Sequence, residues 1–315
     1  MATIYQYQSA NVRRTWIMFA VFFAVFIALG WVISAAYGDY SFLLFAIIFS
    51  VVYSLISYHF SAGIALALAR ATPLTKQDNP MLYTLVENLT ITDGLPMPKL
   101  YVTPEMQINA FATGRDAEHA AVAVTAGALQ RLNKDELQGV IAHELSHVKN
   151  RDILVSTVAA ILAGIIALIA DVFLRSLFFG FGPGLGRGRG GNNGEAQEIF
   201  FILAIVLSIL APIGTMLIQL AISRRREALA DASGVLLTRY PEGLISALKK
   251  IQVDDIPMRA AKDSTAHMWL DTPFKGKGTS WWHKAFMTHP PIEERIKALE
   301  DMGGLAHGAD VRTAQ

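Results

Sequence analysis

The chain contains no cysteine. Disulfide frameworks, thiolate metal sites and cysteine nucleophiles are excluded together, so any metal must be held by His, Asp or Glu. Charge is also scarce: Asp, Glu, Lys and Arg supply 17% of the 315 residues, where soluble domains carry about a quarter. The two signs nearly cancel, to a net +1. There is no global basic field to recruit nucleic acid, and none is expected as a partner. What is abundant is apolar: 53% of residues are hydrophobic and the mean hydropathy is +0.37. The excess falls in blocks rather than at helical or strand spacing, which assigns it to lipid-facing segments more readily than to one large core.

Four blocks stand out. Residues 15–37 carry no charge and are long enough to cross the roughly 30 Å hydrocarbon layer. The run is too long for a cleaved leader and a second run follows almost at once, at 41–65 and on to Ala69, so the pair reads as a retained hairpin turning at Gly38, Asp39 and Tyr40. The third run spans 153–179 and contains Asp171 and Arg175, four apart on one face and able to pair. Those two charges leave open whether this hairpin spans fully or lies partly within protein. A Gly-rich linker at 180–197 follows, and the fourth run covers 199–222. Arg13 and Arg14, Arg70 and Lys76, Lys149 and Arg151, and Arg224 to Arg226 all fall on one side if every run crosses. By the bias of Lys and Arg toward the cytosol, that side is the cytoplasm. Arg187 and Arg189 in the linker weigh mildly against this.

The remainder is polar. Residues 1–14 are expected to be a cytoplasmic N-terminus, 70–152 a first part of a water-exposed domain and 223–315 a second part. Leu100–Thr103, Gln107–Thr113 and Ala120–Thr125 are β-branched, aromatic or alternating and bounded by Pro, Gly and charge, so they predict short strands. Asn133 with Glu136 three residues on predicts a capping box opening a helix over 134–149.

That helix carries His143-Glu144-Leu145-Ser146-His147. Residues four apart share a helix face, so both imidazoles can reach one metal, while Glu144, displaced around the helix, can reach a water there and act as general base. A surface helix with two incidental histidines is the bland alternative. The polar residues 148–152 that follow put the motif at the membrane surface rather than inside a span.

A catalytic zinc needs a third ligand. Arg226-Glu227-Ala228-Leu229-Ala230-Asp231 offers Glu227 to ligate and Asp231 to fix a histidine tautomer from the same face, although the pattern also describes a solvated charged helix end. His119, His267, His283, His289 and His307 compete. His289, before Pro290 and Pro291, is either a helix-start turn or a donor to the transition state. Asn109 and Ala110 lie on a predicted strand to which an extended substrate peptide could add, if that strand is an edge.

With HELSH at 143–147, SRRREALAD at 223–231, NAFATG at 109–114 and THPPIEERI at 288–296 in this order, nearly the whole chain resembles the HtpX family of membrane zinc endopeptidases, relatives of the CAAX prenyl proteases. The resemblance implies a mainly α membrane protein with four spans in two hairpins and an α+β, gluzincin-like catalytic domain. It implies one zinc ion per chain, bound by His143, His147 and Glu227, with Glu144 as catalytic acid/base. It further implies hydrolysis of peptide bonds in misfolded or damaged membrane proteins, as quality control or stress response, in a cell membrane. Two other readings stand beside it: a processing peptidase for one peptide or prenylated substrate, and a non-catalytic membrane adaptor, which would be expected to lose Glu144 first.

Overall fold

The structure, a computed structural model, describes residues 4–179, 213–214, 216–217, 223–259, 264–275 and 290–310. The Gly-rich linker, most of the fourth apolar run and His289 lie outside the described residues.

Helix α1 (Ile4–Tyr37) and helix α2 (Ser41–His59) form the first hairpin, turning at Gly38 with φ +67°. At Gly30 a Cβ would lie 2.5 Å from the Ala46 side chain, so the missing side chain is what lets the two helices close up. Among the described residues three helices are long and apolar enough to cross a membrane: Gln8–Ala35, Ser41–His59 and, within helix α7 (Asp152–Phe179), Asp152–Ile169. They differ in setting: 17% of the second is buried inside the protein and 67% of the third. Residues 152–169 are thus largely enclosed by their neighbours. Asp171, just beyond them, is exposed, and the Arg175 side chain is outside the described residues.

Two boundaries differ from expectation. Helix α1 is described from Ile4, so residues 4–14 continue the first helix beyond its apolar stretch. The second run breaks at Phe60, and a short helix α3 (Ser61–Leu68) leads off from it. The cause is packing: Ala65, Leu66 and Ala69 bury against Phe111, Ala121, Ala123 and Trp269 of the polar domain.

That domain is built on a four-stranded sheet in the order β1-β2-β4-β3, with β1 Thr72–Pro73, β2 Lys99–Thr103, β3 Ala110–Thr113 and β4 Ala121–Thr125. β2 and β4 run parallel; β3 pairs antiparallel with β4, Ala110 opposite Val124 and Ala112 opposite Val122. Gly114 makes the β3–β4 turn tight: its φ is +139°, and a Cβ there would sit 2.6 Å from the His119 carbonyl oxygen. One face of the sheet carries helix α4 (Pro80–Asp93) and helix α6 (Lys134–Lys149), with short helix α5 (Ala126–Arg131) between β4 and α6. Helix α8 (Arg224–Thr238) and helix α9 (Pro241–Gln252) pack on α6, and helix α10 (Ile292–Asp310) packs on α9 and α8. A single apolar core draws Leu82, Val86, Leu137 and Ile141 from before the third apolar run and Leu244, Leu248 and Leu299 from after the fourth. The two polar segments are therefore one folded unit, interrupted in sequence by the third and fourth apolar runs.

Candidate metal centre

Helix α6 starts as its sequence predicts. The Asn133 side chain accepts from the Glu136 N–H at 2.9 Å and the Glu136 carboxylate accepts from the Asn133 N–H at 2.7 Å, closing the capping box. Lys250 and Ser246 of α9 also bond to Glu136, each at 2.7 Å. At its other end, the orphan carbonyls of the last turn are met from α1: Gln8 donates to the Lys149 oxygen at 2.7 Å and Asn11 to the Asn150 oxygen at 3.0 Å. The helix is held at both ends, which sets where the side chains between them project.

His143 and His147 bring their Nε2 atoms to 3.2 Å of each other. Glu227 reaches in from the first turn of α8, Oε2 lying 3.6 Å from His143 Nε2 and Oε1 lying 3.7 Å from His147 Nε2. Ligands about 2.0–2.1 Å from a tetrahedral zinc stand roughly 3.3 Å apart, so this donor set fits such an ion. Glu227 reaches the histidines because α8 crosses α6 closely at Gly234, where a Cβ would be 3.0 Å from the His143 backbone nitrogen. Glu227, Asp231 and Gly234 fall on one helix face.

Each imidazole is held from behind. His143 Nδ1 lies 2.8 Å from Asp231 Oδ1, and Arg295 of α10 clamps the same carboxylate with Nη2 at 2.7 Å and Nε at 2.9 Å. His147 Nδ1 lies 3.1 Å from Asp152 Oδ2, while Asp152 Oδ1 accepts from Asn11 at 2.7 Å and Arg226 at 3.1 Å. With Nδ1–H donated to a carboxylate, each ring presents its Nε2 lone pair forward.

The electrostatics favour a cation. Burial opposes the His147 imidazolium, but the carboxylates of Glu227 and Asp152 more than reverse this, pushing its pKa up to about 9. Burial likewise opposes the Asp231 carboxylate, yet Arg295 and His143 hold it well below the usual carboxylate range. For Arg226, burial prevails over Asp152 and moves the guanidinium below its ordinary value.

Glu144, also buried, lines the same cavity, together with Ala112, Ser156, Arg226, His267 and Met268. His267 holds its Nε2 2.9 Å from the Ser156 carbonyl oxygen. His119 is elsewhere, exposed in the β3–β4 turn with Arg115 and Asp116. His283 and His289 lie outside the described residues, as does the side chain of His307.

β3 is an edge of the sheet. At its start, however, Asn109 uses its side chain to bond the backbone of Asp271 at 2.9 and 3.2 Å, and the Ala110 oxygen accepts from Leu270 at 3.0 Å. These two residues are engaged within the protein. Ala112, two residues on and hence facing the same way, is the edge position in the cavity wall.

Asp152, Arg226 and Arg295 were not singled out by sequence reasoning. Asp152 carried one readable signal, an acid five residues beyond His147 at a helix start. Arg295 lies 64 positions from the carboxylate it clamps, and no local pattern announces such a pair.

Comparison with known proteins agrees with this geometry. Residues 76–303, more than half of the chain, match the model of peptidase family M48. The chain is 45% identical to a "Protease HtpX homolog" of Caldanaerobacter subterraneus subsp. tengcongensis, covering 95% of this chain and 98% of that protein. It is 41% identical to a protein of the same description from Tropheryma whipplei, covering 95% and 99%. A distant solved structure, Ste24p of S. mikatae, aligns at 20% identity with a TM-score of 0.47, over 90% of this chain and 62% of that one. Metalloproteases of this kind use a metal cofactor, and a His-His-Glu cluster stands ready in the fold. The chain belongs to peptidase family M48 together with the HtpX proteases, and it is a membrane-bound metalloprotease that acts on polypeptides.

Proposed function

We propose that the chain is a zinc endopeptidase in which His143, His147 and Glu227 hold one zinc ion and Glu144 moves the proton. The convergence of the two Nε2 atoms and the Glu227 carboxylate, at 3.2–3.7 Å, carries this reading. A bound zinc supplies a Lewis acid that brings the pKa of water toward about 7 and polarises the scissile carbonyl. Glu144 accepts the proton of the attacking water and passes it to the leaving amine. Asp231 and Asp152 keep both imidazoles in the tautomer that offers Nε2. His289 is a candidate donor to the developing oxyanion.

Substrate lies extended along β3 and gains main-chain hydrogen bonds at the edge near Ala112, while Asn109 and Ala110 set that strand in place. The substrates are membrane proteins, misfolded or damaged, and the setting is a cell membrane with the catalytic domain facing the cytoplasm. The Lys and Arg residues flanking the apolar runs support that orientation. The apolar runs at 153–179 and 199–222 would form a second membrane hairpin and return the chain to the same side.

The test is Glu144→Gln in the purified full-length protein. Zinc content should stay at one per chain while cleavage of an unfolded protein substrate falls by about 100- to 10,000-fold. Cleavage at the wild-type rate would remove Glu144 from the mechanism. Digestion of a mixture of membrane proteins should yield many cleavage sites, whereas a single preferred site would mark a dedicated processing enzyme.

A further inference from the structure

A second cavity lies where the same-side ends of all three apolar helices meet. Val12, Thr15, Trp16 and Phe19 of α1, Tyr58 of α2 and Leu154 of α7 form its walls, and Arg115, Asp116 and Arg151 complete the rim. It is separate from the metal centre, sharing no lining residue with it. Its composition is divided. Trp16 and Phe19 belong to the apolar part of α1, Trp16 being 65% exposed. Such an aromatic residue at the end of a span sits at headgroup level. The polar rim comes from the catalytic domain.

The charges on that rim are unequal. Asp116 is engaged by Arg115 Nε at 3.4 Å and by His119 at 2.6 Å. Arg115 also approaches His59, at 3.4 Å, which fixes its guanidinium over the end of α2. Arg151 is exposed in the turn between α6 and α7, and it forms no ion pair with any carboxylate among the described residues. Asp152 beside it is directed to His147, Asn11 and Arg226. The cavity thus joins an apolar, aromatic wall to a rim on which one cation, Arg151, is left uncompensated, at the end of three apolar helices. This is the chemistry of a lipid phosphate with its chains attached, because a free anion would have no use for the aromatic wall.

We propose that this cavity binds one anionic phospholipid, its phosphate held by Arg151 and Arg115 and its chains running along Trp16 and Phe19. The site rests on the membrane-bound character of the chain and not on the zinc chemistry, so each can fail without the other.

The experiment places the full-length protein in phosphatidylcholine nanodiscs and titrates in phosphatidylglycerol, reading lipid retention by native mass spectrometry and stability by thermal melting. Wild type should saturate at one retained phosphatidylglycerol with a rise in melting temperature. Arg151→Gln should weaken that retention by about five-fold or more. Arg239→Gln is the control. It removes the same charge from an exposed residue of like backbone, φ 53° against 58°, beyond the opposite end of α6. Equal weakening by both variants would show diffuse surface attraction and overturn the site, as would unchanged retention in Arg151→Gln. Inorganic phosphate alone reproducing the stabilisation would overturn the lipid assignment. Should Arg151→Gln melt lower than wild type in pure phosphatidylcholine, Arg151→Lys decides: restored retention supports a charge contact, and continued loss overturns it.

Discussion

Two carboxylates behind two imidazoles set the quality of the metal site. Asp231 and Asp152 each take an Nδ1–H, and each is tied to a buried arginine, Arg295 or Arg226. Asp231→Asn and Asp152→Asn should each lower zinc affinity by about 10- to 100-fold, measured by competition with a chelating indicator. Asp231→Asn should also destabilise the fold by roughly 3–5 kcal/mol, because Arg295 is fully enclosed and left without its counter-charge. Glu227→Ala should bring zinc well below one per chain. Unchanged metal content in that variant would place the third ligand elsewhere. The adaptor reading finds no support at this scale: Glu144 is present and the family is one of peptidases.

Among elements, α6 is the scaffold and α8 the helix that brings Glu227, the proposed third ligand, to it. Their approach depends on Gly234, so Gly234→Val should push α8 away and strip metal retention, with zinc content and melting temperature falling together. The N-terminus of α6 yields a prediction in pH. Burial works against the Glu136 carboxylate, but bonds from Lys250, the Asn133 backbone and Ser246 hold its pKa below the ordinary value. A depressed carboxylate contributes stability above its unfolded pKa and loses it as pH falls through its folded one. Glu136→Gln should therefore cost about 1–2 kcal/mol at pH 7 and close to nothing once the pH is below the folded value. A cost independent of pH in thermal melts would assign the effect to shape and not to charge.

At the scale of the molecule, a metal held by His143, His147 and Glu227 would tie together chain segments that lie before and after the third and fourth apolar runs. Removing zinc with a chelator should lower the melting temperature, since an ion at 1,000 times its Kd contributes about 4 kcal/mol to the folded state. Glu144→Gln should show the same drop, because Glu144 is not among the ligands. The motif helix, its capping box, three of the strands and both imidazoles were legible in sequence because each follows from contacts within a few residues: a cap three positions on, a pair four apart, an alternating run. The break at Phe60, the reach of Asn11 and Arg226 to Asp152, the clamp of Arg295 on Asp231 and the engagement of Asn109 with Asp271 were not. Each joins residues tens to more than a hundred positions apart, and only packing decides which distant polar group a buried carboxylate or amide meets. For HELSH, sequence determined what the two histidines and Glu144 could do. Tertiary structure decided that Glu227 and Asp231 arrive together, because a glycine lets α8 lie against α6 and Asn11 of the first membrane helix reaches the end of that same helix.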